Sequence, residues 1–344
     1  MSTQNRFVIF DCDGGSDDAW ALLLLLKAAA EQHVTLLGVT ICGCGNTDLH
    51  NAARNMYRIL KACNRTEIPI FYGAAASLIP PTTPVDDNAY FHGRDGFGDI
   101  LPLEIDYKLD EVVQKEHAAV AINRICTEHH KKVTIIGVGP LTNIALCYSM
   151  YGDGFANAVK DFFIMGGNHQ GVGNCTRCAE FNFYSDAEAA HAVLARSKCP
   201  ITILPWEPCM EDRFFICINW RLDVLGAMAA NTCSAIEIMN KVERAQWLPS
   251  NYKGWIPCDA LLVAAFLFEN MLVKKKSNWH AMVDLTGHTR GQMILDHLHE
   301  VEKFPKNVHI IELLDADVFK KIAQWAVGLY DEFVIEHTNG NVGQ

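Results

Sequence analysis

Asp11, Asp13, Asp17 and Asp18 place four carboxylates within eight positions of the run Asp11-Cys12-Asp13-Gly14-Gly15-Ser16-Asp17-Asp18. Like charges this close repel one another unless a cation or a polyhydroxylated ligand compensates them. One or two would serve as helix caps, but only a few amide groups at a helix start need capping. Oxygen-only ligands point to a hard divalent metal. The chemistry needs an element to hold it. An apolar run over residues 7–10 precedes the cluster and a strongly helix-forming stretch over 19–30 follows. That reads as a buried strand, a glycine turn and a helix. In an open α/β sheet, the C-terminal end of a strand is where ligands bind.

Other polar residues recur in the same position relative to strand-like runs. Gly45-Asn46 follows the run 34–40, and Val138-Gly139-Pro140-Leu141-Thr142-Asn143 closes the run 133–138. Met165-Gly166-Gly167 ends the run 161–165, and a Gly/Asn/Cys-rich loop leads through Asn174 to Ala179-Glu180-Phe181-Asn182. His92-Gly93-Arg94-Asp95-Gly96 lies in an irregular Pro/Thr/Gly-rich stretch over 74–102, long enough to be a functional loop. Cys258-Asp259 opens a helical stretch over 259–268. Helices are predicted between these strands, at 51–63, 117–129, 141–148 and 186–195. After a strand at 201–204 the pattern turns mainly helical, at 220–228 and 232–242. Late strands fall near 280–284, 292–296 and 308–313, with a last helix from Asp315.

Such alternation predicts an α/β fold: a single open, mostly parallel sheet flanked by helices, Rossmann-like in its layering. No linker or repeat interrupts it, so one domain over 1–344 with a helical C-terminal portion is expected. A formal net charge of −11 argues against nucleic acid and anionic membranes as partners. Thirteen cysteines and a polar N-terminus fit a reduced, cytoplasmic protein. The pairs Cys42/Cys44 and Cys175/Cys178 lack zinc-site spacing and read as ordinary thiols. No apolar run is long enough to span a membrane.

Taken in order, the N-terminal Asp block, Gly45-Asn46, HGRDG, VGPLTN, MGG, AEFN and the late Asp259 resemble the inosine–uridine-preferring nucleoside hydrolase family. These are calcium-dependent nucleoside N-ribohydrolases. The first block is similar to that family's DxDxxxDD signature, and TRGQMILD, from Thr289 to Asp296, also resembles a family segment. The resemblance covers about residues 7–300. It implies the nucleoside hydrolase fold, one Ca²⁺ per subunit, a small-molecule ribonucleoside as substrate, and a homo-oligomer, dimer or tetramer.

Carried over by position, the resemblance makes Asp13 both a calcium ligand and the base that activates a metal-bound water. Asp18, Asp259 and the Val138 carbonyl complete the protein's ligands. Asp17, Asn46, Asn174, Glu180 and Asn182 hold the ribose hydroxyls, Met165 lines the sugar pocket, and Asp11 supports the metal site from behind. Cleavage of a ribosyl C–N bond passes through an oxocarbenium-like state, which nearby carboxylates stabilise.

One position departs from the family pattern. Where many relatives carry histidine before the late aspartate, this chain has Cys258, a neutral and weak donor at pH 7. A purine can instead be protonated by solvent while stacked on an aromatic wall, and Trp255, Tyr252, Trp247, Tyr90 and Phe91 are candidates for that wall. His92 is a competing candidate acid. Purine nucleosides are therefore the expected substrates. Two rivals stand beside this reading. Asp11-x-Asp13 resembles the opening of haloacid-dehalogenase-type phosphatases, with Asp11 as nucleophile and magnesium as cofactor. A catalytically impaired, nucleoside-binding family member is the other.

Overall fold

The computed structural model describes residues 5–80, 91–102, 109–250, 252–300 and 302–330. In chain order the first half comprises β1 (Arg6–Cys12), α1 (Ser16–Ala30), β2 (Val34–Ile41), α2 (Leu49–Ala62) and β3 (Ile70–Tyr72). It continues with α3 (Leu109–Val112), β4 (Val113–Gln114), α4 (Ala118–Glu128), β5 (Val133–Gly137), α5 (Thr142–Tyr151) and α6 (Asp153–Ala158). Next come β6 (Asp161–Met165), α7 (Phe181–Ser185), α8 (Ala187–Arg196), β7 (Ile201–Leu204), α9 (Trp206–Met210), α10 (Gly226–Ala229), α11 (Ser234–Trp247) and α12 (Cys258–Leu272). The chain closes with β8 (Val273–Trp279), β9 (Ala281–Val283), β10 (Met293–Leu295), β11 (Val308–Leu314) and α13 (Ala316–Ala326).

Among the described residues, nine strands form one open sheet in the order β4-β3-β2-β1-β5-β6-β7-β11-β8. Every pairing is parallel except β11 with β8. β9 and β10 make a separate antiparallel pair. The expected open, mostly parallel sheet is therefore present, with one antiparallel edge. That edge strand escaped the sequence reading because Val273–Trp279 carries three consecutive lysines and is partly exposed, so it lacks the apolar signature of its buried neighbours. The residues read as helix over 220–228 instead contain a π-helical turn, Trp220–Leu225, running into α10.

β1 is the hinge of the topology. From it the chain builds outward through β2 and β3 to β4, then returns to place β5 against the other side of β1. Such a reversal opens a crevice beyond the carboxyl ends of the two strands. Asp11 pairs in register with Thr40 of β2 and Gly137 of β5, so Asp13 and Val138 emerge side by side into that crevice. The turn after β1 requires glycine. Gly14 has φ +84°, and a Cβ there would overlap Ala52 of α2.

Buried side chains cover both faces of the sheet. One core, including Leu22, Met56, Val263 and Phe319, joins α1, α2, α11, α12 and α13. The other, including Ile9, Ile144 and Val193, joins α4, α5 and α8. α1 is apolar almost throughout because it lies between the sheet and α12. Among the described residues no helix is long and apolar enough to cross a membrane.

Candidate active site

The turn after β1 folds back on itself through Asp18. Its carboxylate accepts the amide protons of Asp13 (3.0 Å) and Gly15 (2.7 Å), capping α1 and aiming the acidic first turn at the crevice. Asp13 is fully buried, and both its oxygens are taken by Asn46: the backbone N–H reaches Oδ2 at 2.9 Å and Nδ2 reaches Oδ1 at 2.8 Å. Beneath them Asp11 Oδ1 accepts from Thr40 Oγ1 (2.5 Å) and Asn143 Nδ2 (2.8 Å).

Asp17, Asp18 and Asp259 bring carboxylate oxygens within 4.8 Å of one another. Asp259 reaches this point from the first turn of α12. Burial, then the neighbouring charges of Asp17, Asp18 and Asp13, push Asp259 well above the usual carboxylate range. Burial, followed by Asp17, pushes Asp18 up to about 7. Among the described residues, Asp17 Oδ1 is a buried oxygen without a hydrogen-bond donor, and His92 Nε2, 3.5 Å off, does not satisfy it. An orphaned buried oxygen beside two more carboxylates is a donor set suited to a hard cation.

The opposite wall comes from β6 and α7. Glu180 caps α7, accepting from the amides of Asn182 (2.8 Å), Phe183 (3.1 Å) and Gly167 (2.8 Å). Burial nonetheless raises it to about 7. Asn182 Nδ2 donates to the carbonyls of Val138 (2.9 Å) and Met165 (3.2 Å), tying the ends of β5 and β6 together. Asn174 Oδ1 accepts from Phe181 N–H at 2.8 Å. These residues surround a cavity of about 420 Å³, whose lining also includes Asp17, Asn46, Val138, Cys258 and Asp259.

The cavity's outer part is aromatic. Phe91, Trp247 and Tyr252 meet edge-on, with ring centroids 4.8–6.0 Å apart. The 91–99 loop is pinned to α1 and α11. Ser16 N–H donates to His92 Nδ1 (3.3 Å), and Gln246 Nε2 donates to the His92 carbonyl (3.1 Å). His92 Nδ1 also meets Ser16 Oγ at 3.0 Å, and that hydroxyl donates to Gln246 Oε1 at 2.7 Å. Burial lowers the His92 pKa, opposed by Asp17, so the ring is uncharged near pH 7.

The family model for inosine-uridine preferring nucleoside hydrolases matches residues 8–321. The chain belongs to this family. It is a ribonucleoside hydrolase, an enzyme acting on small-molecule nucleosides. An uncharacterised Schizosaccharomyces pombe protein is 29% identical over 318 residues, 92% of this chain and 91% of that one. The pyrimidine-specific ribonucleoside hydrolase RihA of Photobacterium profundum is 36% identical over 200 residues, 58% of this chain and 60% of its own length. A solved inosine-guanosine nucleoside hydrolase superposes with a TM-score of 0.80 at 25% identity, covering 94% of this chain and 98% of that one.

Within this nucleoside hydrolase, Asp17, Asn46, His92, Val138, Met165, Asn174, Glu180, Asn182, Cys258 and Asp259 line one cavity, whereas Asp11, Asp13 and Asp18 are fully buried outside its lining and Asp13 is not among the clustered carboxylates. Asp17, expected to meet the sugar, stands in the carboxylate cluster with Asp18 and Asp259. Asn46, also expected to meet the sugar, grips Asp13 while still lining the cavity. Trp255 does not belong to the aromatic wall. It is buried against Trp20, with Nε1 donating to Glu243 at 2.8 Å. Its indole offered an apolar face to the core and a donor to a buried carboxylate, and that pairing outcompeted exposure to the cavity. Tyr90 lies outside the described residues.

Trp206, Cys175, Phe181 and Ile256 also line the cavity and were not anticipated there. Trp206 carried a signal, since it follows the strand Ile201–Leu204 at the same sheet edge as the other site residues. The family match over residues 8–321 sets the phosphatase alternative aside. Asp11 is fully buried, with one oxygen held by Thr40 and Asn143, and does not line the cavity.

Proposed function

We propose that this enzyme cleaves the N-glycosidic bond of ribonucleosides, with Asp13 as the base that takes a proton from the attacking water and purine nucleosides favoured. The observation that carries the reading is the polarity of the cavity: buried carboxylates and amides at its floor, an aromatic wall at its mouth. A ribose with three hydroxyls matches the first, and a planar base matches the second.

Asp17, Asp18 and Asp259 are the residues that would hold a divalent cation, calcium by preference, with Asp13 and the Val138 carbonyl beside them. All-oxygen donors favour calcium or magnesium over soft metals, and a wide acidic site favours calcium. Bound there, the cation supplies positive charge that orients ribose hydroxyls and eases the loss of a proton from water. Asp13 is set for proton abstraction because Asn46 fixes its carboxylate while burial and the charge of Asp18 raise its proton affinity. Glu180, Asn182 and Asn174 hold the sugar. Asp17 and Glu180 lower the energy of the cationic ribosyl group as the bond breaks. His92 stands 3.5 Å from Asp17 in the cavity lining and shapes the sugar end of the site.

Departure of the base has no strong acid here. Hydrogen bonding to Cys209 and burial push the Cys258 thiol well above its ordinary value, so it stays neutral and donates weakly. A purine protonated from solvent while stacked on Phe91, Trp247 and Tyr252 suffers least from this. The similarity to RihA favours a second reading, pyrimidine nucleosides, and one panel separates the two. Ribose release from inosine, guanosine, uridine and cytidine should require a divalent cation and give the higher kcat/KM for the purines. Equal or better turnover of uridine would overturn the purine preference, and no release from any of the four would overturn the hydrolase reading. 2′-Deoxyinosine should be poorer than inosine by about 10⁴-fold in kcat/KM, because a site built to bind a hydroxyl is left with unpaired buried groups.

A further inference from the structure

The sharp bend after β2 carries a feature that the hydrolase reaction does not use. Cys42 and Cys44 flank Gly43, both thiols are free, and their sulfur atoms lie 3.0 Å apart. A disulfide needs about 2.05 Å, so closure requires the two sulfurs to approach by only ~1 Å. Cys42 is buried at the end of the strand, with its N–H bonded to the Cys12 carbonyl at 2.8 Å, whereas Cys44 is partly exposed.

The protons around this pair are ordered. Thr142 Oγ1 donates its single proton to Asp186 Oδ2 at 2.7 Å. At its 3.1 Å contact with Cys44 Sγ it must therefore accept, which makes Cys44 the donor there. Cys42 in turn donates to Cys44 Sγ. Cys44, partly exposed, is the sulfur a small molecule reaches, while its hydrogen bond from Cys42 and burial hold the Cys42 proton firmly. Cys44 is the attacking sulfur and Cys42 the resolving one.

We propose that Cys42 and Cys44 form a reversible redox modification site, closed to a disulfide by a small-molecule disulfide such as glutathione disulfide, and that closure loosens the hold of Asn46 on Asp13. The Cys44 thiolate attacks one sulfur of the small disulfide, forming a mixed disulfide and expelling one thiolate. Cys42, deprotonated as it reacts, attacks Cys44 Sγ, and the second small thiolate leaves. Two protein thiols are oxidised, one small disulfide is reduced to two thiols, and both protein protons end on the departing thiols.

Closure reaches the floor of the site through two residues. Gly45 packs so tightly on Asp13 that a Cβ there would overlap its Oδ2, and Asn46 makes both hydrogen bonds to the Asp13 carboxylate. Drawing Cys44 off Thr142 towards Cys42 shifts the residue before this contact, where no slack exists. The effect on turnover rests on the assignment of Asp13 as the base.

The full-length protein is equilibrated in glutathione buffers of rising oxidised fraction, its free thiols are alkylated, and the peptide spanning 42–44 is read by mass spectrometry. Inosine hydrolysis is assayed on the same samples. The peptide should lose two hydrogens and take up no alkyl group, and kcat should fall in step by about tenfold or more, since ~1 Å misplacement of reacting groups costs up to ~10²-fold. Dithiothreitol should restore both, and Cys44→Ser should keep its activity under the same oxidation. Separate alkylation of Cys42 and Cys44 at every ratio, or a lasting glutathione adduct on Cys44 without closure, would overturn the modification site. A closed pair with unchanged kcat, or an equal fall in Cys44→Ser, would overturn its link to Asp13. If the reduced enzyme releases no ribose, the hydrolase reading fails, and the peptide map still decides the dithiol.

Discussion

Asp13 is held from two directions, by Asn46 and by the tight passage of Gly45, and that restraint distinguishes it from the three carboxylates beside it. Its replacement by asparagine keeps the shape, but one acceptor oxygen becomes an NH2 donor, which loses one of the two Asn46 hydrogen bonds and the basic oxygen pair. Asp13→Asn should lower kcat for inosine by roughly 10²–10⁴-fold, the usual worth of a positioned base, with an unchanged circular dichroism spectrum. Near-wild-type kcat in the calcium-loaded variant would assign the base elsewhere. Cys258 makes the complementary case at the leaving group. Cys258→His replaces a neutral thiol with a group whose unperturbed pKa near 6.5 suits proton donation. Steady-state assays should show kcat/KM rising more for uridine than for inosine, and a uniform change across both bases would remove residue 258 from base departure.

At the scale of elements, α11 joins the core to the site. Its Glu243 accepts from Trp20 Nε1 (3.1 Å) on α1 and Trp255 Nε1 (2.8 Å), and pairs with the fully buried Arg221, whose guanidinium lies over both indoles. One turn further, Gln246 and Trp247 meet the 91–99 loop and the cavity. Removing the carboxylate strands a buried cation and two indole donors. Glu243→Ala should therefore cost about 3–5 kcal/mol, measured by urea denaturation. A loss below ~1 kcal/mol would mean that the guanidinium finds compensation in the two rings alone. None of this was legible from the pattern of α11, where Glu243 reads as one more polar residue of an amphipathic helix.

For the molecule as a whole, the crevice stores a charge problem that links stability to pH. Glu180 and Asp18 are pushed up to about 7 and Asp11 to about 6, in each case chiefly by burial. An unfolded chain returns these groups to about 4. Between about 4 and 7 the folded state thus binds more protons than the unfolded one, so stability falls as pH rises through that window. Chelator-treated protein should melt several degrees lower at pH 8 than at pH 5 in a thermal shift assay. Added calcium should cancel most of the difference, since it binds the ionised cluster of the folded state. A melting temperature that rises with pH without metal would contradict the burial of these acids.

The order of motifs along the chain already contained the strand–turn–helix units, the open parallel sheet and the edge at which polar residues collect. It could do so because buried parallel strands are apolar runs and their carboxyl ends are marked by Gly, Asn and Asp, all local signals. Tertiary structure alone decided which carboxylates meet. Asp17 and Asp259 are 242 positions apart, and only the packing of α12 against α1 brings them together. It also decided that Trp255 belongs to the core while Trp206 faces the cavity, because spacing does not reveal on which side of a helix-rich region a ring finds its partner. The lysine-rich edge strand β8 was hidden for the same reason. Exposure is set by the neighbours a residue acquires, and those neighbours come from distant parts of the chain.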